Sequence, residues 1–345
     1  TSAWKIMKNV VIMGQSPAVH AAVKSLLDRD PSVAITLISC DGQLPYDRML
    51  LPGLIDRSVK EKDVFCADED YYKSAQVQVI AGKEISRVNF NRKRIFLAEK
   101  THVDFEGLII TDGTELRLPP FKGIRRQGVF ALARLEAVKA LVRYLTYTET
   151  VVVEPLGFAG IKAALALKAV GKDVVVAVRD EVLLAKMIPA ARSQALARAL
   201  EKRGIRLVMS GLDDIIGETE VKAVRLRSGK VIACDMVVLE DAAPDLRFLC
   251  DTELVIGERI PVTGPFRTNI PGVHAVDVVC QDDGLKFAGA YALNTEIGSL
   301  QAAVAVAGLW GDDKVLAESD LLPRDILEMF FHPEELAPVI SEVTS

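Results

Sequence analysis

The stretch NVVIMGQSPAVHAAVKSLLDRDPSVAITLIS, from Asn9 to Ser39, decides the fold of this 345-residue chain. Its apolar, β-branched run at 10–14 predicts a buried strand, and the spacing of the apolar residues at 18–30 predicts a helix. The apolar run at 33–39 predicts a second strand. This order is typical of a βαβ unit at the start of a doubly wound parallel sheet.

The same order of elements returns in the middle of the chain. TVVVE at 150–154 predicts a strand, GIKAALALKAVG at 160–171 a helix, and DVVVAV at 173–178 another strand. Two such units predict an α/β protein with two Rossmann-like domains. Because apolar runs resume late in the chain, we expect the second domain to be inserted into the first.

The rest of the chain supplies further elements and the domain boundaries. Strands are predicted at 77–80, 95–98, 107–110, 205–209, 221–227, 231–239 and 273–279, and helices at 193–203 and 297–309. The Pro119-Pro120 break marks the first crossover, and the return begins near Pro244. The expected parts are a first domain at 1–120 and 245–311, an inserted domain at 121–244, and a tail at 312–345.

Composition and charge exclude several classes of protein. The net charge is −5 with 42 dispersed basic residues, which argues against a nucleic-acid or membrane-surface partner. The apolar runs are too short to span a bilayer. The five cysteines are far apart, so we expect neither a metal site nor a redox dithiol. We also expect the protein to be soluble and cytoplasmic.

The first candidate site is the turn between the first strand and the first helix. Gly14 allows the tight turn, Ser16 is small and can donate a hydrogen bond to a phosphate, and Pro17 and Ala18 open the helix. A helix N-terminus at this point favours an anion. The alternative is a turn with a structural role only, since Val19 replaces the third glycine of a dinucleotide loop.

An acidic residue that binds a ribose is expected after the second strand. It falls at Cys40 or Asp41, depending on one residue of alignment, and a carboxylate makes Asp41 the better candidate. The alternative for Asp41 is a turn residue before Gly42.

Four later segments carry a family resemblance. They are YDRMLLP at 46–52, LIITDG at 108–113, RTNIPGVHAVD at 267–277 and FAGAYALNTEIGSLQAA at 287–303. In this order and spacing the chain resembles the pyridine nucleotide-disulfide oxidoreductase superfamily. It is most similar to the branch with rubredoxin reductases, ferredoxin reductases and the flavin module of assimilatory nitrite reductase.

That resemblance implies FAD as the cofactor of the first domain. By analogy, Arg48 approaches the flavin and its phosphates, and Asp277 contacts the ribityl chain unless a one-residue slip on its strand turns it away. The residues predicted to bind FAD are Gly14, Ser16, Pro17, Ala18, Cys40, Asp41, Arg48, Ile85, Thr111, Asp112, Gly113 and Asp277.

The second loop corresponds to the family's NAD(P)H site. Gly157 and Gly160 would let a pyrophosphate come close to the backbone. However, Pro155 removes an N–H donor and Glu154 adds a negative charge. Arg179, after the next strand, suits the 2′-phosphate of NADPH, or is an exposed charge at a strand end.

A paired change also bears on hydride transfer. Where the family has a lysine and a glutamate near the nicotinamide, this chain has Gly53 and Lys162. Loss of both charged residues is expected if hydride transfer there is no longer needed, because loss of one alone would leave the other charge without its partner. We therefore expect an FAD-binding oxidoreductase that exchanges electrons with a protein carrier or partner subunit, with NAD(P)H use disfavoured. The alternative is a degenerate, non-catalytic nucleotide-binding or scaffold subunit of the same fold.

Overall fold

The computed structural model describes residues 7–39, 41–111, 122–132, 134–179, 183–184, 188, 190–240, 246–281, 295–313, 315–316 and 330–331. Its helices are α1 (Pro17–Arg29), α2 (Glu69–Ser74), α3 (Leu135–Tyr144), α4 (Phe158–Ala169), α5 (Ala190–Lys202) and α6 (Thr295–Leu309). Its strands are β1 (Asn9–Met13), β2 (Ala34–Ser39), β3 (Gln78–Ala81), β4 (Ile85–Asn89), β5 (Arg94–Leu97), β6 (His102–Asp104), β7 (Gly107–Ile110), β8 (Val129–Ala131), β9 (Thr150–Glu154), β10 (Asp173–Ala177), β11 (Arg206–Val208), β12 (Leu212–Ile216), β13 (Ala223–Leu226), β14 (Val231–Ala233), β15 (Met236–Leu239), β16 (Ile260–Pro261), β17 (Val273–Ala275) and β18 (Cys280–Gln281). None of the helices within these ranges has the length and apolar character needed to cross a membrane.

The chain divides into two compact units. The first comprises the segments Thr1–Asp47, Phe65–Arg117 and Ala243–Leu322. The second comprises the segments Arg48–Val64, Leu118–Ala242 and Pro323–Ser345. The segment 48–64, which the sequence places in the first domain, is grouped here with the second unit. The domain boundaries drawn from the sequence stay a prediction.

A five-stranded parallel sheet forms the centre of the first unit. Its strand order is β17-β7-β1-β2-β3, and every neighbouring pair is parallel. Strand β1 is buried from Val10 to Met13, as expected of a strand covered on both faces. Helix α1 buries its apolar residues at helical spacing and packs against α6. The predicted α/β fold is confirmed in this unit, which also contains the antiparallel sheet β4-β5-β6.

The last strand of this sheet is shorter than the sequence predicts. The expected strand at 273–279 ends at Ala275, and the chain turns into a 3-10 helix at Asp277–Val279. Asp277 has a φ of +62°, which lies outside the range of extended strands. The prediction of a strand through this residue was therefore wrong, and turn geometry rather than strand alternation directs its side chain.

A second five-stranded parallel sheet forms the centre of the second unit, in the order β11-β10-β9-β15-β8. The antiparallel sheet β12-β13-β14 shares one buried core with it, in which Val152 and Val237 belong to the same cluster as Ile215 and Val224. The second predicted βαβ unit is confirmed as β9, α4 and β10.

One predicted strand of the second unit is two strands. The run at 231–239 divides into β14, which pairs with β13, and β15, which joins the parallel sheet beside β9. The chain changes sheets at Asp235, whose Oδ2 accepts hydrogen bonds from the N–H groups of Glu149 and Thr150, both at 2.9 Å. The apolar run does not reveal such a change of sheet, because β14 buries only Ile232 while β15 is buried throughout, and residue type alone does not separate the two cases.

Candidate functional site

In the first unit, several predicted residues meet at the carboxyl ends of the parallel strands. Thr111 follows β7, and its N–H and Oγ1 both donate to the carbonyl of Met13, at 3.0 and 3.2 Å. Gly14 follows β1 and donates its N–H to Ile38 at 2.9 Å. Asp277 follows β17 by two residues. Ligands of doubly wound sheets bind at this edge.

The loop from Gly14 to Ala18 has the geometry of a dinucleotide turn. Gly14 has a φ of +133°, which favours glycine, and Ser16 is the extended residue that precedes α1, with Pro17 as its first residue. Ser16 is only 4% exposed, yet its Oγ has no hydrogen-bond partner among the residues that the structure describes. A buried hydroxyl without a partner at a helix N-terminus fits an acceptor such as a phosphate oxygen.

A glutamine on α6 supports the Asp277 turn. Gln301 is fully buried, and its Oε1 accepts the N–H of Asp277 at 2.7 Å. Its Nε2 has no hydrogen-bond partner within the described chain. A Cβ on Gly298 would lie 3.3 Å from Cγ of Asp277, so α6 passes close to the turn. Sequence reasoning missed Gln301, although an amide inside a run of alanines and valines was the available signal.

Asp41 is held by its own loop. Its Oδ1 accepts hydrogen bonds from the N–H of Gln43 at 2.9 Å and from Oγ of Ser39 at 3.1 Å. Its Oδ2 accepts the hydroxyl of Tyr46 at 3.0 Å. These are the bonds of the turn role that the sequence left open, and a ribose hydroxyl would share Oδ2 with Tyr46. Cys40, the alternative, lies outside the described residues, as do Asp112 and Gly113.

Two other predicted contacts belong to other elements of the fold. Arg48 is half-buried and begins the 3-10 helix Arg48–Leu54, which belongs to the second unit. Ile85 begins β4 of the antiparallel sheet, where it is 4% exposed and pairs with Leu97. Ile85 therefore belongs to the antiparallel sheet and not to a strand of the parallel sheet, and its contact with FAD stays a prediction.

In the second unit, the N-terminus of α4 is occupied by a side chain of the protein itself. Glu240 directly follows β15 and is 5% exposed. Its Oε2 accepts hydrogen bonds from the N–H groups of Leu156 at 3.2 Å, Gly157 at 2.8 Å and Gly160 at 2.8 Å. One carboxylate oxygen thus takes the amides that a dinucleotide phosphate would use.

Gly160 makes room for this carboxylate. A Cβ at Gly160 would lie 2.4 Å from Oε2 of Glu240 and 2.7 Å from Cβ of Pro155. Burial raises the pKa of Glu240, and the backbone hydrogen bonds oppose that rise. Sequence reasoning missed Glu240, although an acid placed directly after the buried run at 236–239 was a usable signal.

Arg179 forms an ion pair with a second buried carboxylate. Glu154 is 1% exposed, and its Oε2 accepts a hydrogen bond from Nη2 of Arg179 at 2.7 Å. Its Oε1 accepts the N–H of Leu212 at 2.8 Å. Because the arginine balances a buried negative charge, a 2′-phosphate here would approach Glu154 as well. The arrangement does not support the NADPH preference that the sequence suggested for Arg179.

The two positions of the paired change line one cavity of about 310 Å³ in the second unit. Gly53 lies on the 3-10 helix and Lys162 on α4. A Cβ at Gly53 would lie 2.5 Å from Cγ2 of Val59, so the backbone here packs too closely for the family's lysine. The close packing gives a physical reason for one half of the paired change.

The two loops, each at the carboxyl edge of a parallel sheet, define a protein with two dinucleotide-binding folds. The chain belongs to the pyridine nucleotide-disulphide oxidoreductase family, whose model matches residues 8–307. Members of this family are FAD-dependent and use NAD(P)H. The resemblance predicted from the sequence is confirmed.

Individual relatives are distant. An NADH oxidase of Methanocaldococcus jannaschii is 25% identical over 277 residues, which are 77% of this chain and 62% of that protein. The assimilatory nitrate reductase electron transfer subunit of Bacillus subtilis is 20% identical over 280 residues, 80% of this chain and 36% of its own length. The crystal structure of a ferredoxin reductase from Rhodopseudomonas palustris matches with a TM-score of 0.80 at 21% identity, covering 89% of this chain and 77% of that one. The chain therefore spans less than two thirds of the length of either curated relative.

Proposed function

We propose that this chain binds FAD through its first unit and exchanges electrons with a protein carrier or a partner subunit. The observation that carries the proposal is the buried Ser16 hydroxyl at the N-terminus of α1, which has no hydrogen-bond partner in the described part of the chain. A buried donor of this kind is costly to leave unpaired, so it points to a ligand acceptor.

The residues at the sheet edge fit the parts of FAD. The backbone at Gly14 and the start of α1 suit the pyrophosphate, and Ser16 supplies a further donor. We assign Asp277, which is 3% exposed, to a hydroxyl of the ribityl chain, and Thr111 follows the neighbouring strand β7 at the same sheet edge. Bound flavin supplies the electron-accepting chemistry, and the protein supplies binding and orientation.

The nature of the electron partner is inferred from the relatives. One is an electron transfer subunit of a nitrate reductase, and a structural neighbour is a ferredoxin reductase. Both names describe proteins that pass electrons to another protein. A protein carrier or partner subunit is therefore the partner that we propose for this chain.

The test is FAD binding by the purified chain and by two variants at one position. Wild type is expected to carry, or to take up, FAD with its visible absorbance. Ser16→Asp should keep α1 folded, because aspartate is a good N-cap, but its carboxylate should weaken FAD binding about 100-fold or more by repelling the pyrophosphate. Ser16→Asn is the matched control, because asparagine has the size of aspartate but no charge. Its FAD affinity should stay within about tenfold of wild type.

Two results would contradict the proposal. A folded wild-type protein that stays colourless after incubation with FAD would favour the non-catalytic scaffold subunit. Equal FAD affinity of the aspartate and asparagine variants would show that the flavin does not use the α1 loop.

A further inference from the structure

The second unit holds a buried carboxyl group where its family binds a dinucleotide phosphate. Oε2 of Glu240 lies within 3.2 Å of three amide nitrogens, those of Leu156, Gly157 and Gly160. Gly157 is the N-cap of α4 and Gly160 lies in its first turn, so both N–H groups lack intrahelical partners, and Leu156 directly precedes the cap. The positive end of the 12-residue helix adds to the attraction for a carboxylate.

The neighbouring residues are arranged around this carboxylate. Pro155 brings no N–H to the loop, so it does not add a donor that an incoming phosphate would need. Gly160 lacks the Cβ that would collide with Oε2 of Glu240. The backbone of Glu240 is fixed as well, since its N–H donates to the carbonyl of Glu154 at 3.2 Å.

We propose that Glu240 is an internal substitute for the dinucleotide pyrophosphate and that it excludes NADH and NADPH from the second unit. The pyrophosphate and the carboxylate compete for the same amides, and the internal group needs no association step. A pyrophosphate brought beside Glu240 and Glu154 would also meet two buried acids. The inference concerns the second unit and does not depend on FAD binding to the first.

The test is rescue of a truncated side chain by an inorganic anion. Glu240→Ala leaves the amides of α4 without an acceptor and should lower the melting temperature. Inorganic pyrophosphate at about 10 mM should then raise the melting temperature of this variant by about 3 °C or more beyond its effect on wild type. FAD is added in excess so that pyrophosphate cannot bind a phosphate site in the first unit. If FAD does not bind, the difference in melting temperature between variant and wild type still decides the test.

Two control variants separate this effect from a general loss of stability. Glu154→Ala also removes a buried carboxylate, but one that does not contact the α4 amides, and pyrophosphate should not rescue it. Glu240→Gln keeps an oxygen acceptor at the same place and should gain nothing from pyrophosphate. Equal rescue of Glu154→Ala and Glu240→Ala, or rescue of neither, would overturn the proposal.

A direct measurement on the wild-type chain covers the case in which Glu240→Ala does not fold. Calorimetric titration of the FAD-saturated protein with NADH and with NADPH should give no binding heat up to about 1 mM, the upper end of ordinary substrate constants. Binding of either dinucleotide at about 100 µM or tighter would overturn the proposal, because the amides would then be open to a pyrophosphate.

Discussion

His274 is a buried side chain that makes the stability of the first unit depend on pH. The imidazole is 2% exposed in β17, and its Nδ1–H donates to the carbonyl of Pro265 at 2.9 Å. Burial lowers the pKa of His274 from 6.5 to about 4, although the hydrogen bond opposes the shift. The folded protein therefore keeps this ring neutral where the unfolded chain would protonate it.

The sign of the pH effect follows from that difference. Stability from the neutral ring is complete above pH 6.5 and is lost as the pH falls towards 4, because the unfolded chain takes up the proton first. We expect His274 to account for a loss of about 3 kcal/mol in the free energy of unfolding over that range. Denaturant unfolding of wild type and His274→Gln at several pH values measures it. The exposed His102→Gln is the control, and an unchanged slope in His274→Gln would contradict the assignment.

Single residues also mark the limit of reading the site from sequence. Gly14 and Ser16 could be predicted as site residues because a strand-turn-helix loop fixes their spacing. Glu240 lies far from its loop in the sequence, and only the pairing of β15 with β9 brings it to α4. A contact between distant segments depends on strand order, which residue spacing does not specify.

At the scale of elements, Asp235 joins the two sheets of the second unit at the junction of β14 and β15. Its carboxylate accepts the N–H groups of Glu149 and Thr150 at the start of β9. Asp235→Ala should lower the free energy of unfolding by about 1–2 kcal/mol, because two amides lose a charged acceptor in a partly exposed place. Asp213→Ala, at an exposed position, should change it by less than about 0.5 kcal/mol. Similar losses in both variants would mean that the junction does not depend on this carboxylate.

Most elements of the two parallel sheets were predictable. The runs of β1, β2, β9 and β10 are long, β-branched and buried on both faces, so local pattern and final structure agree. The short elements β4, β6, β8, β12, α2 and α3 were not predicted. Two predicted strands were wrong where the chain changes direction inside an apolar run. β14 passes to β15 through Asp235, and β17 ends before Asp277, since burial alone does not report a change of sheet or a left-handed turn.

At the scale of the whole molecule, we expect the first unit to hold a reducible flavin and the second unit not to supply it with electrons from NADH or NADPH. With FAD bound, dithionite should bleach the flavin absorbance under anaerobic conditions, whereas NADH and NADPH at about 1 mM should not. The reason is that the phosphate-binding amides of the second unit are already used by Glu240. Absorbance spectra before and after each addition measure this, and rapid bleaching by either nucleotide would show a working pyridine-nucleotide site.

Because Glu240 occupies the amides of α4, a dinucleotide could bind there only in molecules in which Glu240 has moved away. Apparent affinity for a dinucleotide scales with the fraction of molecules in which Glu240 has left those amides. If that fraction were about one in a hundred, an intrinsic Kd of about 10 µM would be measured as about 1 mM. A partner that stabilised the open conformer would strengthen dinucleotide binding in proportion, without altering a single residue that touches the dinucleotide.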